Sequence, residues 1–423
     1  MNRVVTTRIT VLCLCAVALS ACFDFDAAYQ GYCSGGRCDA LADGGGGDGG
    51  GDSKSDGGDL GNDAGSVEDA GPREDGGATD AGTSDAGCPS FLCPVDAVEL
   101  SRASYMYSYW SVAPGIVAES VDRYQVYTSY DIDPLSAIAD YDLFEYTKVD
   151  GGLTEVNRSF EFGDAYEAKI SKGTLADRWT GTRGYIRHYV QDFSVAGFGD
   201  CQKPDGGQSN SWFYGLEVFS PTDVLFVGYP FTICRWTPTG GLVELADPQL
   251  GPSVYLNDAH RTASGVEYVV GGDYNGNDAL GKIYRSNGAP VSGPVDVDSF
   301  GDGWMEIDGV GNEAWVVSHS GMVAQLRPDG GFEQVFDAGF GLRSVSARSV
   351  SEVWAVGHQG SRAAYFDGGT WGLVVLPSSA SNPSIVWERV KTTEDGLVLS
   401  GYLRTGSPAA LKGVVHSYRR FGK

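Results

Sequence analysis

Short apolar segments recur along the second half of the chain, and each of them ends in a small residue. They are rich in β-branched and aromatic residues, a composition typical of β-strands. The five segments are Asp223–Gly228, Val266–Gly271, Glu313–Ser318, Glu352–Gly357 and Gly396–Gly401. Their last residues follow one another at intervals of 39 to 47 residues. A repeat of this length indicates a solenoid, a propeller or an array, and its strand content favours a β-propeller.

One repeat shows the expected composition of a single blade. Its four predicted strands are Leu342–Ala347, Glu352–Gly357, Ser361–Asp367 and Trp371–Leu376, separated by turn residues. Such a unit is an antiparallel sheet with two faces to cover. It is therefore expected to fold only when neighbouring units pack against both faces around a ring.

The same template identifies seven candidate blades, and the predicted fold class is an all-β, seven-bladed β-propeller. The candidates span residues 112–160, 163–200, 213–248, 253–298, 303–338, 341–377 and 384–421. Six blades are the alternative, because Asp177–Thr182 forms only a weak strand pattern in the second unit. The last unit lacks a fourth strand, and we expect a strand within Val98–Tyr109 to complete it and close the ring.

The best-defined repeat resembles a known group of sequences. Ser349–Trp371 reads Ser-x-x-Glu-Val-Trp-Ala-Val-Gly and later aromatic-Asp-Gly-Gly-Thr-Trp, and Asp223–Val243 and Glu313–Phe332 match this pattern in part. The pattern is similar to the propeller repeats of secreted and lipidated proteins of myxobacteria and their relatives. The resemblance implies a propeller and a bacterial lipoprotein. It carries over no catalytic residue, because a fold does not determine a function.

The first 22 residues predict export followed by lipidation. Arg3 and Arg8 precede an apolar run, Ile9–Leu19, that is too short to span a bilayer. Leu19-Ser20-Ala21-Cys22 then resembles a bacterial lipobox, in which Cys22 becomes a lipid-modified N-terminus. We expect residues 1–21 to be a signal peptide and the protein to be anchored in the envelope of a Gram-negative bacterium, at the outer membrane.

A long acidic segment separates the anchor from the predicted propeller. Residues 39–87 contain thirteen acidic residues against Lys54 and Arg73, many glycines and almost no apolar side chains. Such a segment buries too little apolar surface to offset the entropy of ordering, so we expect a disordered linker. At this length a Gly-rich coil spans roughly 40 Å. The predicted organisation is a lipidated N-terminus with a short Cys loop at 22–38, a linker at 39–87 and a propeller domain at 88–423.

Six cysteines remain after removal of the signal peptide and lipidation of Cys22. An even number in an oxidising compartment indicates disulfides, although spacing alone leaves their connectivity open. Cys33 and Cys38 lie close together, as do Cys88 and Cys93, which leaves Cys201 and Cys234 for each other. A zinc site built from the first four is the alternative, but their spacing fits zinc knuckles poorly.

Charge narrows the range of partners. The chain has 55 acidic and 30 basic residues, a formal net charge of −25. An acidic body repels phosphate backbones, so we expect no nucleic acid partner. We expect a monomer whose partners are the membrane, through the lipid anchor, and a protein or glycan that is not identified by the sequence.

One end of the propeller carries the candidate ligand-contact residues. The connections between second and third strands share this end with the connections between blades, and His319 and His358 hold equivalent places in adjacent blades. The candidates are Tyr229, Asp273, Asn275, Asn277, Asp278, His319, His358, Tyr402 and Arg404. The alternative is that these polar residues only solvate turns. We treat Asp273–Asp278 as a polar surface loop, because it lacks the Gly and Glu that an EF-hand requires at its sixth and twelfth positions.

No pattern of residues predicts catalysis, a cofactor or a metal. The five histidines are scattered, and no Gly-x-Ser-x-Gly motif is present. The predicted function is therefore an interaction module that uses one loop face, with a propeller enzyme acting on glycans or a structural envelope protein as alternatives. An enzyme would require carboxylates with Tyr or His clustered at one mouth of the central channel.

Overall fold

The described part of the chain consists entirely of strands, turns and short connections. A computed structural model describes residues 92–105, 115–131, 141–149, 152–157, 170–182, 185–190, 193–198, 201, 212–229, 231–245, 254–275, 278–287, 289, 291, 303–376, 385–405 and 410–420. The predicted signal peptide, Cys22, Cys33, Cys38, Cys88 and the linker at 39–87 lie outside these residues. Within these segments no helix is long and apolar enough to cross a membrane.

The described residues form 27 strands. In chain order they are β1 (Leu92–Tyr105), β2 (Gly115–Ser120), β3 (Arg123–Asp131), β4 (Tyr141–Val149), β5 (Gly152–Asn157), β6 (Ile170–Gly173), β7 (Asp177–Thr182), β8 (Tyr185–Val190), β9 (Phe193–Phe198), β10 (Trp212–Ser220), β11 (Asp223–Tyr229), β12 (Thr232–Thr237), β13 (Gly241–Glu244), β14 (Val254–Arg261), β15 (Glu267–Asn275), β16 (Asp278–Arg285), β17 (Trp304–Val310), β18 (Glu313–Ser318), β19 (Met322–Leu326), β20 (Phe332–Asp337), β21 (Leu342–Ser349), β22 (Glu352–Gly357), β23 (Arg362–Phe366), β24 (Trp371–Val375), β25 (Ile385–Thr392), β26 (Gly396–Thr405) and β27 (Ala410–Arg420).

These strands pair into seven antiparallel sheets, which confirms the predicted seven-bladed propeller. Blades 1, 2 and 3 contain β2–β5, β6–β9 and β10–β13; blade 4 contains β14–β16; blades 5 and 6 contain β17–β20 and β21–β24. Blade 7 combines β25, β26 and β27 with β1. Blade 4 shows three strands within the described residues. The second unit, whose pattern was weak, is a complete four-stranded blade, so the six-bladed alternative is wrong.

The ring closes through the N-terminal strand, as predicted. β1 pairs with β27 and becomes the outer strand of blade 7, beginning at Leu92 rather than within Val98–Tyr109. A second connection joins blade 7 to blade 1, where the backbone N–H of Val121 donates to Asp395 Oδ1 at 3.1 Å. The N-terminal strand thus completes the sheet of the last blade, and the first and last strands of the domain hold each other in place.

Among the described residues, apolar clusters fill six of the seven interfaces between blades. Buried side chains from both partners meet between blades 2 and 3, 3 and 4, 4 and 5, 5 and 6, 6 and 7, and 7 and 1. Trp354, in the cluster between blades 6 and 7, is fully buried. Burial of each large apolar side chain contributes about 1.5 to 3 kcal/mol, so the blades stabilise one another rather than themselves.

Between blades 1 and 2 the described side chains form no apolar cluster, and buried polar side chains meet there instead. Arg178 of β7 is fully buried, and its Nη2 lies 3.4 Å from Oε2 of the buried Glu145 of β4. Arg178 Nε donates to the Tyr127 hydroxyl at 2.6 Å, and that hydroxyl donates to Gln125 Oε1 at 2.9 Å. The Gln125 amide donates to Thr147 Oγ1 at 2.8 Å. In the part of this interface that the structure describes, the two blades are therefore joined by a bonded polar network.

Close backbone approach explains why the repeated second strand ends in a small residue. A Cβ atom at Gly271, Gly357 or Gly401 would lie 2.0 to 2.1 Å from a carbonyl oxygen of the adjoining innermost strand segment. Any larger side chain there would force the two strands apart. The small residue in the repeat is therefore a packing requirement of the fold.

Cys201 and Cys234 form the expected disulfide. Their Cα atoms lie 6.3 Å apart, and both residues are fully buried. The bond ties Cys201, which follows blade 2, to β12 of blade 3. Cys93 is also disulfide-bonded, whereas the prediction for Cys33, Cys38 and Cys88 stays untested.

Candidate functional site

A channel runs through the centre of the ring. The innermost strands of the seven blades are β2, β6, β10, β14, β17, β21 and β25, and residues from all of them line one cavity of about 420 Å³. The end at which these strands begin is called the entry face, and the end at which they turn into the second strands is called the turn face. The cavity includes Thr174, Ser220 and Pro221 in its lining, so it reaches the turn face.

A β-bulge at the same position of five successive inner strands determines which side chains enter the channel. The pairing skips one residue between Phe213 and Gly215, and the same irregularity recurs in β14, β17, β21 and β25. The skipped residues are Tyr214, Asn257, Met305, Arg343 and Glu388. Because a bulge redirects the residues that follow it, the same local feature sets the channel lining in each of these blades.

Beyond the bulge, alternate residues of the inner strands supply charged groups to the channel. Side chains in a strand alternate between two faces, so residues two apart share a face. Glu306 and Asp308 of β17 both line the cavity, as do Arg389 and Lys391 of β25. Lys172, Glu217 and Asp258 add three more charges from β6, β10 and β14.

Lys172 joins two of these carboxylates. Its Nζ lies 3.0 Å from Glu217 Oε2 and 3.1 Å from Asp258 Oδ1. Burial raises the pKa of Glu217, but the Lys172 charge and a contact with His260 outweigh it and lower that pKa to about 2. Burial by itself lowers the pKa of Lys172. The negative charges of Asp258 and Glu217 outweigh this effect and hold that pKa above its usual range. Lys172 and Glu217 are therefore charged at neutral pH. Burial raises the pKa of Asp258 above its usual range, although the Lys172 charge opposes this.

Several channel side chains also accept backbone hydrogen bonds from the next blade. Asp258 Oδ2 accepts the Ile307 N–H at 3.2 Å, and Glu306 Oε2 accepts the Val345 N–H at 3.0 Å. Ser344 Oγ accepts the N–H of Val390 at 3.0 Å in the same way. Each bond crosses from one inner strand to its neighbour, so these groups have a structural role in addition to any chemistry.

The buried carboxyl group of Glu306 titrates near neutral pH. Burial raises the pKa of Glu306 to about 7, with Asp258 adding to this and Arg389 and Lys172 opposing it. A carboxyl group in this range can hold or release a proton under physiological conditions. His260 lies nearby, with Nδ1 at 3.4 Å from Glu217 Oε1. Burial lowers the pKa of His260, but the bond and charge of Glu217 raise it overall.

The structure brings together two of the predicted ligand-contact residues. The rings of His319 and His358 lie edge to face with their centroids 4.7 Å apart. Arg343, one of the bulge residues, donates from Nε to His358 Nε2 at 2.9 Å. Its Nη1 also lies 4.0 Å from Oε2 of the buried Glu388 on blade 7. Side chains from blades 5, 6 and 7 thus converge where the inner strands begin.

The other predicted residues are distributed around the same end of the ring. Tyr229 is half-buried at the end of β11, and Tyr402 is only 7% exposed in β26. Arg404 belongs to β26. Tyr229 is the last residue of the second strand of blade 3, whereas Tyr402 and Arg404 lie within the second strand of blade 7 rather than in the connection after it, because that strand continues to Thr405.

The segment expected to be a polar loop is largely a β-hairpin. Asp273 and Asn275 lie in β15 and Asp278 lies in β16, with Asn275 paired opposite Asp278. Asn277 lies outside the described residues. The expectation of a polar surface loop at this place was therefore wrong, because the two strands continue their pairing almost to the turn.

Sequence reasoning missed the channel residues altogether. A detectable signal exists, since charged residues alternate within inner strands in Asp258-x-His260, Glu306-x-Asp308 and Arg389-x-Lys391. In a strand enclosed by a ring such polar residues need a shared polar surface, which only the channel provides. Among the described residues no group of three or more His, Cys, Asp or Glu side chains has an arrangement suited to a metal ion.

Comparisons with known proteins identify the fold and nothing finer. No protein-family model and no curated protein matches the chain. Among solved structures it is similar to U3-55K, at 12% identity and a TM-score of 0.50 over 76% of this chain and 98% of that one. YCF48 bound to a D1 peptide (14% identity, TM-score 0.48, 79% and 99% covered) and the WD40 repeats of RRP9 (11%, 0.47, 78% and 100%) are further matches. The chain therefore has the fold of a β-propeller.

Proposed function

We propose that this protein is a lipid-anchored extracytoplasmic interaction module that binds a protein or polysaccharide through the entry face of its propeller. The observation that carries the proposal is the convergence of His319, His358, Arg343 and Glu388, from three blades, at the start of the inner strands. Binding sites commonly combine a few placed polar groups with a rigid surrounding scaffold.

The side chains at this place suit a neutral or weakly charged polar partner. Arg343 and the two imidazoles offer planar hydrogen-bonding groups, and Glu388 offers an acceptor. Tyr229, half-buried at the end of the second strand of blade 3, adds an aromatic ring at the same end of the propeller. Planar, polar and aromatic groups of this kind recognise both peptide backbones and sugars, and the net charge of −25 disfavours phosphate-rich polymers.

The proposed localisation is based on the N-terminal sequence. Cys22 follows a short apolar run, and an acidic segment at 39–87 separates it from the propeller. A lipid anchor on Cys22 would hold the protein at the membrane of a Gram-negative envelope, and the linker would let the entry face reach a partner. Replacement of Cys22 by Ser is expected to release the protein from the membrane fraction. Continued sedimentation with membranes would contradict the anchor.

Partner capture tests the interaction proposal directly. The detergent-solubilised full chain is presented to envelope extracts and to a glycan array, together with the Arg343→Ala/His358→Ala variant. Arg327→Ala, at a turn between β19 and β20 on the opposite face, is the matched control. We expect saturable binding that the double variant reduces at least tenfold and the control leaves unchanged. Equal binding by all three proteins, or no saturable partner, would contradict the proposal and favour a structural envelope role.

A second candidate function is favoured by the channel carboxylates. The channel holds Glu217, Asp258, Glu306 and Asp308 with His260 beside them, and Glu306 has a pKa of about 7. This is the kind of cluster that an enzyme acting on glycans would use, with a protonated carboxyl as acid and an ionised one as base or nucleophile. Hydrolysis of envelope polysaccharides is measured with the wild-type chain and with Glu306→Gln. Activity that is lost in this variant would establish the enzyme, and absence of any activity would leave the interaction module.

A further inference from the structure

The charges that line the channel are separated onto two sides. The inner strands of blades 3, 4 and 5 contribute Glu217, Asp258, Glu306 and Asp308, and no basic residue from those strands lines the cavity. The inner strand of blade 7 contributes Arg389 and Lys391, and the neighbouring strand of blade 1 contributes the uncharged Gly115–Val117. One wall of the cavity is therefore acidic and the other is basic and partly apolar.

Lys172 neutralises only part of the acidic wall. It bonds with Glu217 and Asp258 at 3.0 and 3.1 Å, which leaves Glu306 and Asp308 of β17 without a basic partner within 4 Å among the described residues. Glu306 is faced by Asp258 on β14, Lys172 on β6, Ser344 on β21 and Arg389 on β25. With its pKa of about 7, Glu306 is partly ionised at neutral pH, and a cationic group entering beside Glu306 and Asp308 would favour the ionised carboxylate.

The basic wall has donors that the described part of the protein leaves available. Arg389 Nη1 donates to the Glu388 carbonyl at 3.1 Å, but no carboxylate among the described residues lies within 4 Å of Arg389 or Lys391. A guanidinium group presents a planar set of donors that fits a carboxylate with two parallel hydrogen bonds. Arg389, supported by Lys391, is therefore arranged to receive an anionic group.

The cavity has the volume of a small-molecule site. Its 420 Å³ falls within the roughly 300 to 1,000 Å³ typical of ligand pockets. Its lining includes Thr174, Ser220 and Pro221, so a small molecule can enter from the turn face. The entry-face site proposed above lies at the other end of the inner strands, and the two sites do not depend on each other.

We propose that the channel binds a small zwitterion of the amino acid class. Its ammonium group lies against Glu306 and Asp308, its carboxylate group lies against Arg389 and Lys391, and its side chain lies along Gly115–Val117. Both charged groups are needed, because either one alone would leave one wall of the cavity without a counter-charge. The two-sided arrangement of charge, rather than the acidic cluster alone, carries this inference.

Matched ligands test the requirement for two charges. Calorimetric titration of the detergent-solubilised full chain uses the L-amino acids as probes, and each one that binds is compared with its N-acetyl and its C-amide derivatives. These derivatives remove the positive and the negative charge while keeping the side chain. We expect at least one free amino acid to bind saturably and both derivatives to bind at least tenfold more weakly. Equal affinity for either derivative, or no saturable binding by any amino acid, would overturn the proposal.

Variants assign the two walls. Arg389→Gln and Glu306→Gln are each expected to weaken amino acid binding at least tenfold, while Arg362→Gln, at an exposed position in β23, leaves it unchanged. If these variants fail to fold, the comparison of free amino acids with their N-acetyl and C-amide derivatives on the wild-type chain still tests the proposal. Unaltered binding in both folded channel variants would place the ligand elsewhere and overturn the assignment. Loss of partner capture by Arg343→Ala/His358→Ala has no bearing on this result.

Discussion

Two interfaces between blades show opposite solutions to the same packing problem. Between blades 6 and 7, Trp354, Trp387 and their neighbours form a fully buried apolar cluster. Between blades 1 and 2, the equivalent space holds the ion pair of Arg178 and Glu145, bonded to Tyr127. The first interface is stabilised by removal of apolar surface from water, which requires no particular partner geometry. The second depends on every polar group finding its partner, because a buried charge without one is costly.

This difference explains why the second blade was hard to recognise from its sequence. Its second strand, Asp177–Thr182, has Arg178 where the other second strands have apolar residues such as Val353 and Ala314. Gln125 in the facing strand of blade 1 departs from the apolar pattern in the same way. Arg178 and Gln125 weaken the apolar sequence pattern in both blades. In the structure they belong to one hydrogen-bonded network between those blades.

The largest expected effect comes from opening a cavity in the apolar interface. Trp354→Ala removes a fully buried indole ring that packs against blade 7. We expect the free energy of unfolding to fall by about 5 kcal/mol, the upper end for this class of substitution. Urea unfolding of the full chain at pH 7 measures it, with Leu373→Ala at an exposed site of β24 as the control. A loss as small as that of the control would mean that the cluster collapses around the vacated space.

A slightly smaller loss is expected when the polar interface is broken. Arg178→Met leaves the buried Glu145 carboxylate without its positive partner, and we expect a loss of about 4 kcal/mol. The same unfolding measurement reports it, and Arg362→Met at an exposed position provides the control. If the variant loses less than about 1 kcal/mol, Gln125 and Tyr127 are enough to satisfy Glu145, and the two interfaces are more alike than their composition implies.

Acid is expected to weaken the apolar interface. His416 of β27 is buried, and its ring lies 4.9 Å from that of Trp387. Burial lowers the pKa of His416 to about 4. In the unfolded chain this histidine has its ordinary pKa of about 6.5, so below that pH the unfolded state binds more protons than the folded state. The free energy of unfolding is therefore unaffected above about pH 6.5 and falls by about 3 kcal/mol as the pH decreases to 4. Unfolding measured from pH 7 to pH 4 should show this loss in the wild type. A wild-type and a His416→Gln profile of equal slope would contradict it.

Converting one interface to the other should have the smallest effect. The double substitution Arg178→Met/Glu145→Leu removes both charges and gives the interface between blades 1 and 2 the character of its counterparts. Because the desolvation of two charges is no longer needed, we expect stability within about 2 kcal/mol of the wild type, and above that of Arg178→Met alone. A double variant no more stable than the single one would show that the remaining polar groups, Gln125 and Tyr127, also require Arg178.

Much of the architecture was predictable because the repeat is local. The strands around Glu352–Gly357 and Ile385–Thr392 lie where their apolar patterns place them, and the closing strand was expected from the missing fourth strand of the last unit. The candidate site was predictable only in part. His319 and His358 could be matched by position, whereas Arg343 joins them through a bulge that no sequence spacing reveals. The extended hairpin at Asp273–Asp278 was missed because its polar residues hide continued strand pairing.

The sequence by itself determined the strands, the seven repeats and the way the ring closes, because periodic apolar residues and turn residues act over a few positions at a time. Only the tertiary structure decided which charges meet. Lys172 is 45 positions from Glu217 and 86 positions from Asp258 along the chain, yet the three side chains form one cluster. Closure of the ring brings seven inner strands around one axis, and electrostatic contacts depend on distance in space rather than on separation along the chain.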